Sequence, residues 1–254
     1  MTSVGEAGEG QARADRIPQR RTEKISELVA RDIVHDMRGL QVGAKLPSEA
    51  AMLEKYQVGR ASLREALRLL EVQGLIVIRP GPGGGPVVAP VDSRHFARMA
   101  SLYFHLTGAT YRNVVEARLV MEPVMAYLAA ERQDPGDLAR LDQFVDENPF
   151  DDDTTAYVAH SSEFHSVLSG MSGNPVLDLM GRSLKDLYTD RIEGLIFPAE
   201  ARVRVRTEHS AIARAIKEGN APKAQELMRE HMLEFVRYAG ERNPGVFSEI
   251  VDWE

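Results

Sequence analysis

The chain has 254 residues, 43% of them hydrophobic, and contains no cysteine. That composition suffices for one large or two modest globular cores and excludes disulfides and thiolate metal sites, and no run of about 18 apolar residues is present to span a membrane. The net charge of -7 argues at first against a nucleic-acid partner, but it is unevenly placed: residues 16–90 hold 12 Lys and Arg against 8 Asp and Glu, whereas residues 91–254 hold 18 against 27. Attraction to phosphate therefore belongs to the first third of the chain.

Residues 1–16 are polar, lack the apolar stretch of a secretory signal, and are expected to be a flexible tail on a cytoplasmic protein. From Leu46 to Val77 the pattern is two short helices around a turn, followed by a strand. Leu53 and Tyr56 give the first helix an apolar side, Val58-Gly59 makes the break, and Leu63, Leu67 and Leu70 recur at helical spacing on the second. Ser48 is the N-cap of the first helix, and its hydroxyl and the adjacent backbone amides could take a phosphate. The free face of the second helix carries Arg60, Ser62, Arg64 and Arg68. Arginine can grip guanine O6 and N7 in a bidentate manner, at about 1–3 kcal/mol of discrimination per pair. After Gly74, Leu75–Ile78 and Val87–Ala89 are β-prone runs joined by a Gly/Pro tip containing Gly83, Gly84 and Gly85, which predicts a hairpin wing. As a phosphate-cradling nucleotide loop the same stretch fails, because no helix opens directly after it.

Pro90-Val91-Asp92 is the expected joint. Beyond it, periodicity predicts helices over about 93–107, 110–132, 135–147, 153–172, 175–193, 199–218 and 221–241. The runs Asp151–Asp153 and Arg202, Arg204, Arg206 are expected to be a helix start and a solvated face. Arg118 and Glu122 lie one turn apart beside Val115 and Leu119, so at least one should border the helical core. His165, His209 and His231 fall on the apolar sides of their helices. Each alone is most simply a satisfied core histidine, but 209 and 231 are equidistant from a turn at Gly219-Asn220. An antiparallel hairpin would place them at one level, about 16 Å along each helix. Two inward imidazoles at one level, joined by a third, form a set suited to zinc, nickel or another borderline cation; a metal-free polar pocket is the alternative.

The combination of LPSE, VGRASLREALRLLEVQGLI and a glycine-rich wing resembles the winged helix-turn-helix domain of the GntR family of bacterial transcription regulators, over about residues 20–90. The resemblance implies base and phosphate contacts from Arg60 and Arg64, with the wing glycines Gly83 and Gly84 entering the minor groove; Ser48, Glu49, Ser62 and Arg68 are the further candidate DNA-contacting residues. Two positions depart from the family pattern: Ala50 stands where an arginine is common, and Gly59 where a serine or threonine is. The stretches VVEARLVMEPVMAYLAAERQ, FHSVLSGMSGNPVL and EHSAI resemble the helical FCD effector domain of the FadR subgroup, over most of residues 93–240.

That second resemblance implies a divalent metal held by His165, His209 and His231, with Ser161 in place of the family's aspartate. His160 is adjacent, but consecutive helical residues point about 100° apart. It also implies an effector, a small organic acid, held between Arg118 and the metal or the histidines. The expected architecture is mostly α: a tail over 1–16, a winged helix-turn-helix DNA-binding domain over 17–90, an antiparallel helical effector-binding and dimerisation domain over 91–243, and a C-terminal tail over 244–254. The expected function is that of a homodimeric regulator, a repressor, which binds a palindromic double-stranded DNA operator and leaves it when the effector binds. A metal-dependent hydrolase built on the three histidines and an acyl-ligand-binding protein are the alternatives; the first lacks HExxH, and Glu163 faces elsewhere on its helix.

Overall fold

A computed structural model describes residues 24–145, 154–192, 199–242 and 244–253. The chain divides into two compact units meeting at Pro90 and Val91. The tail expected over 1–16 and the acidic run at 151–153 lie outside the described residues.

The first unit is built from α1 (Ile25–Met37), α2 (Glu49–Tyr56), α3 (Arg60–Val72), β1 (Ile76–Arg79) and β2 (Gly85–Val88). Leu63, Ala66, Leu67 and Leu70 of α3 repeat at the spacing of one helix face and are buried against Val29 and Ile33 of α1 and Ile76 of β1. The residue that α2 buries is Met52; Leu53 and Tyr56, expected to do so, are only half-buried. The Tyr56 hydroxyl instead donates to Asp36 Oδ2 at 2.6 Å, which keeps its polar end at the surface. The break between α2 and α3 falls at Gln57, in the left-handed region at φ 51°, with Gly59 extended.

The strands pair antiparallel, Ile76 opposite Val88 and Arg79 opposite Gly85, so the wing runs nearer its tip than the sequence pattern suggested. A Cβ on Gly84 would lie 2.2 Å from the Arg79 carbonyl oxygen, which makes glycine obligatory in this turn. The segment before α2 adds a third edge that was not anticipated: Val88 N–H donates to the Ala44 carbonyl and Leu46 N–H to that of Pro86, both at 2.9 Å.

The second unit is helical: α4 (Ser93–Thr107), α5 (Tyr111–Arg132), α6 (Pro135–Arg140), α7 (Asp142–Val145), α8 (Thr154–Met171), α9 (Pro175–Ile192), α10 (Ala199–Lys217) and α11 (Ala221–Arg242), then a 3-10 turn over Val246–Ser248. Helix α5 is central, touching α8, α9, α10 and α11. Its Ala126, Ala129 and Ala130 are buried with Ala224 and Met228 of α11 and Ile212 and Ile216 of α10 in one core; the small side chains let the helix backbones approach closely.

The single helix expected over 135–147 is two short pieces broken at Leu141. Arg204 pairs with Glu234 at 2.5 Å and lies over the Tyr238 ring, and Arg202 lies over that of Tyr157, so the basic run is engaged with neighbouring helices rather than merely solvated. The segment 244–253 corrects the C-terminal-tail expectation, because Val246, Phe247 and Val251 are buried. Its backbone ties to the start of α5 through Tyr111 N–H to the Glu249 carbonyl at 3.1 Å and Val251 N–H to that of Ala109 at 2.9 Å.

Candidate DNA-contacting face and effector pocket

In the first unit, Arg60, Arg64 and Arg68 are exposed along one edge of α3, with Ser62 half-buried beside them. No side chain caps the amides at the start of α3; Gly59 supplies no hydroxyl, so the positive end of the helix dipole stays open beside Arg60. The Ser48 hydroxyl caps α2 by accepting from Ala51 N–H at 3.3 Å. Arg64 pairs with Glu49 at 3.3 Å. An exposed pair of this kind is worth about 0–1 kcal/mol, so Glu49 orients Arg64 without locking it. Among the described residues Arg60 and Arg68 have no ion-pair partner. Gly83 and Gly84 lie at the wing tip, where Lys45 Nζ donates to the Gly83 carbonyl at 2.8 Å.

In the second unit, three helices bring the histidines together: His165 from α8, His209 from α10 and His231 from α11, all buried. The hairpin turns at Gly219-Asn220, and His209 Nε2 sits 3.2 Å from His231 Nε2. One donor atom from each of the three residues lies within 4.8 Å of the others. Carboxylates hold two of the rings from behind. His165 Nδ1 donates to Glu122 Oε2, and His231 Nδ1 donates to Glu208 Oε2 at 2.7 Å. Each such bond sets the tautomer and leaves the bare Nε2 facing inward, as in the carboxylate–histidine arrangement of metal centres. Phe164 stacks on His209 with centroids 4.0 Å apart.

Burial, with the neighbouring His231 and His165, keeps the His209 imidazole well below its usual proton affinity. Burial also lowers His165, opposed by Glu122. For Glu122, burial favours the neutral acid, but the Arg118 guanidinium, whose Nε donates at 2.6 Å, and His165 outweigh it and hold the carboxyl well below the usual range. Burial thus favours the neutral form of the His165 and His209 rings, the form that ligation requires. Zinc–nitrogen bonds of about 2.0–2.1 Å in a tetrahedral site set nitrogens roughly 3.3 Å apart, close to the separation of the α10 and α11 pair. The three residues fit a divalent borderline cation.

The imidazoles of His165 and His231 border a cavity of about 70 Å³, lined also by Arg118, Lys185, Ser161 and Tyr188. Lys185 Nζ donates to Ser162 Oγ at 2.9 Å and pairs with Asp186. Arg118, buried as well as bound to Glu122, stacks over the Tyr188 ring at 5.1 Å. Ser161 occupies the wall one turn before His165, whereas His160 packs on Phe144 at 4.7 Å between centroids and does not line that cavity. Glu163 is exposed. Sequence reasoning named Glu122 without giving it a role toward His165, and it missed Glu208, Lys185 and Tyr188. The one available signal was the burial of position 122 on α5; the other partners come from helices distant in sequence.

The winged-helix and bundle architecture carries a basic helix in one unit and, in the other, a largely apolar pocket bordered by two histidines, an arginine and a lysine, the division of a ligand-responsive DNA-binding regulator. Residues 22–84 match the family model for bacterial regulatory proteins of the gntR family, and residues 113–234 match the FCD domain. The chain is 31% identical over 215 residues to the uncharacterized HTH-type transcriptional regulator YcbG of Bacillus subtilis, covering 84% of this chain and 88% of that one. To the HTH-type transcriptional repressor NanR of Edwardsiella tarda it is 28% identical over 173 residues, 64% of each chain. The solved structure of Streptococcus agalactiae GntR superposes with a TM-score of 0.62 at 26% identity, covering 84% of this chain and 99% of that one. The chain belongs to the GntR family of bacterial transcription regulators and carries an FCD effector domain. Members of this kind are not enzymes, which sets the hydrolase alternative aside. Among the described residues no helix is long and apolar enough to cross a membrane.

Proposed function

We propose that the protein is a homodimeric repressor of a palindromic operator, released when a small organic acid enters the helical unit. The observation that carries the reading is the pocket. Arg118, Lys185 and two inward imidazoles converge on a cavity that, among the described residues, no Asp or Glu lines. Such a lining favours an anion, and Arg118 is suited to clamp a carboxylate. His165, His209 and His231 would hold a divalent cation that supplies a Lewis-acidic point of attachment for the effector. Dimerisation is supported by the reach of one recognition helix, which covers only a few base pairs, so that a two-fold pair reading half-sites one DNA turn apart is needed for selectivity. Repression is supported by the described role of NanR.

Release requires that the effector bind the DNA-free arrangement of the two readers more tightly than the DNA-bound one. The test is a gel shift at fixed salt with the DNA upstream of the chain's own gene. Arg60→Ala should weaken specific binding by about 1–3 kcal/mol, roughly 5- to 150-fold, while non-specific binding changes little. Undiminished operator affinity in that variant would remove Arg60 from the reading surface.

A further inference from the structure

The wing tip is bare. From Pro80 to Gly85 the chain runs Pro-Gly-Pro-Gly-Gly-Gly, so these residues carry no polar side chain with which to hold the turn or to meet DNA. Gly81 and Gly83 are left-handed, at φ 91° and 75°, and Gly84 N–H closes the turn on the Gly81 carbonyl at 2.9 Å. Glycine loses more conformational freedom on ordering than any other residue, so a tip of this composition gains most from an outside support. That support comes from the segment before α2. Lys45 lies opposite Val87 in an isolated antiparallel bridge, and on either side of it Val88 N–H donates to the Ala44 carbonyl and Leu46 N–H to that of Pro86. Leu46 turns into the core, and Lys45, its neighbour on an extended segment, turns out to solvent. Its ammonium extends along the wing and donates to the Gly83 carbonyl at 2.8 Å. An ammonium has three donors, so two remain after that bond.

We propose that Lys45 is a DNA-contacting residue that lends the wing tip the cation its own sequence lacks, steadying the turn through the Gly83 carbonyl and turning its remaining donors to a backbone phosphate at the groove edge. The proposal rests on the reading of the first unit as the DNA-contacting one, and it adds a residue from outside both the recognition helix and the wing strands. Lysine acts on phosphate as a point charge, so the contact adds affinity without base preference. Ordering the tip before DNA arrives lowers the conformational cost of docking it. Lys45 is exposed and stands outside the apolar core of Val29, Leu63 and Ile76, so its charge can be removed without opening that core.

The test compares the natural full chain with Lys45→Met, Lys45→Gln and Lys45→Arg by fluorescence anisotropy over a range of salt. The probes are the duplex upstream of the chain's own gene and a scrambled duplex of the same composition. One phosphate contact contributes about fivefold in affinity at about 0.15 M salt, and its loss lowers the slope of log affinity against log salt by about 0.9. Lys45→Met should show both losses on both duplexes with its thermal midpoint unchanged, and Lys45→Arg should restore both. Amide exchange at Gly84 in the DNA-free protein should quicken in Lys45→Met. It should stay slow in Lys45→Gln, which is neutral but can still donate to Gly83, while the slope falls as in Lys45→Met. An unchanged slope in Lys45→Met would overturn the phosphate contact, and unchanged exchange at Gly84 would overturn the hold on the tip. A natural chain that binds neither duplex would overturn the DNA-contacting reading of the first unit and this assignment with it. Should Lys45→Met fail to fold, Lys45→Gln decides the slope comparison in its place.

Discussion

Glu122 holds two partners at once, accepting from Arg118 Nε at 2.6 Å and from His165 Nδ1. All three side chains are buried. Taking either partner away would leave a charge or donor without compensation, so the trio behaves as one unit. The same burial keeps His209 and His165 neutral, with a consequence for stability. Both have folded-state proton affinities below the ordinary histidine value of 6.5. Their contribution is therefore complete above that pH and is lost as pH falls, because unfolded imidazoles take up protons that the folded ones refuse. Each such ring contributes a slope of about 1.4 kcal/mol per pH unit below 6.5. Glu122, whose carboxyl is depressed from 4.5, keeps its contribution until the pH drops under that value and does not disturb the window. Denaturant unfolding of metal-free protein between pH 7 and 5 should show stability falling, and His209→Leu should remove about one ring's share of the slope.

At the scale of elements, the α10–α11 hairpin and the wing follow from local rules to different degrees. The hairpin turns at Gly219, φ 71°, and equal spacing from that turn is what sets His209 against His231. This meeting was legible in the sequence, since helical rise and a turn position suffice to place two residues at one level. The third histidine could be placed only by resemblance, because α8 joins the pair through packing around α5. In the wing, Gly/Pro content predicted a hairpin, but the strand ends at Ile78 and Val87 fall one and two residues short of the observed ends at Arg79 and Gly85. Pairing with the Lys45 segment, distant in sequence, helps set which residues of β2 are held. Gly84→Ala should open the turn at Arg79. The expected outcome is weaker operator binding by fluorescence anisotropy, with the helical circular-dichroism signal retained, because the core of Leu63, Leu67 and Leu70 lies elsewhere.

For the whole molecule, the charge division separates the tasks. The basic share of the sequence lies in the unit bearing Arg60, Arg64 and Arg68, and the acidic share lies in the helical unit. Binding of a two-fold pair predicts light-scattering mass of twice the single chain. It also predicts operator affinity falling linearly with the logarithm of salt concentration, with a slope near -0.9 per phosphate contacted. Arg68→Ala, at a position suited to backbone contact, should reduce that slope by about one while leaving base preference intact. A single-chain mass under DNA-binding conditions, or a half-site bound as tightly as the palindrome, would contradict the dimeric reader.

Sequence alone determined the helical phase of the second unit, the buried leucine face of α3, the cationic edge opposite it and the level at which two histidines meet. These depend on period, capping and turn chemistry, which act over a few residues. Tertiary structure decided which carboxylates stand behind the imidazoles, that Arg118 and Glu122 are both buried, that Lys185 and Tyr188 reach the same cavity, and that the segment 244–253 packs on the start of α5. Those contacts join helices tens of residues apart, and no local rule encodes which faces will meet when a shared apolar core closes.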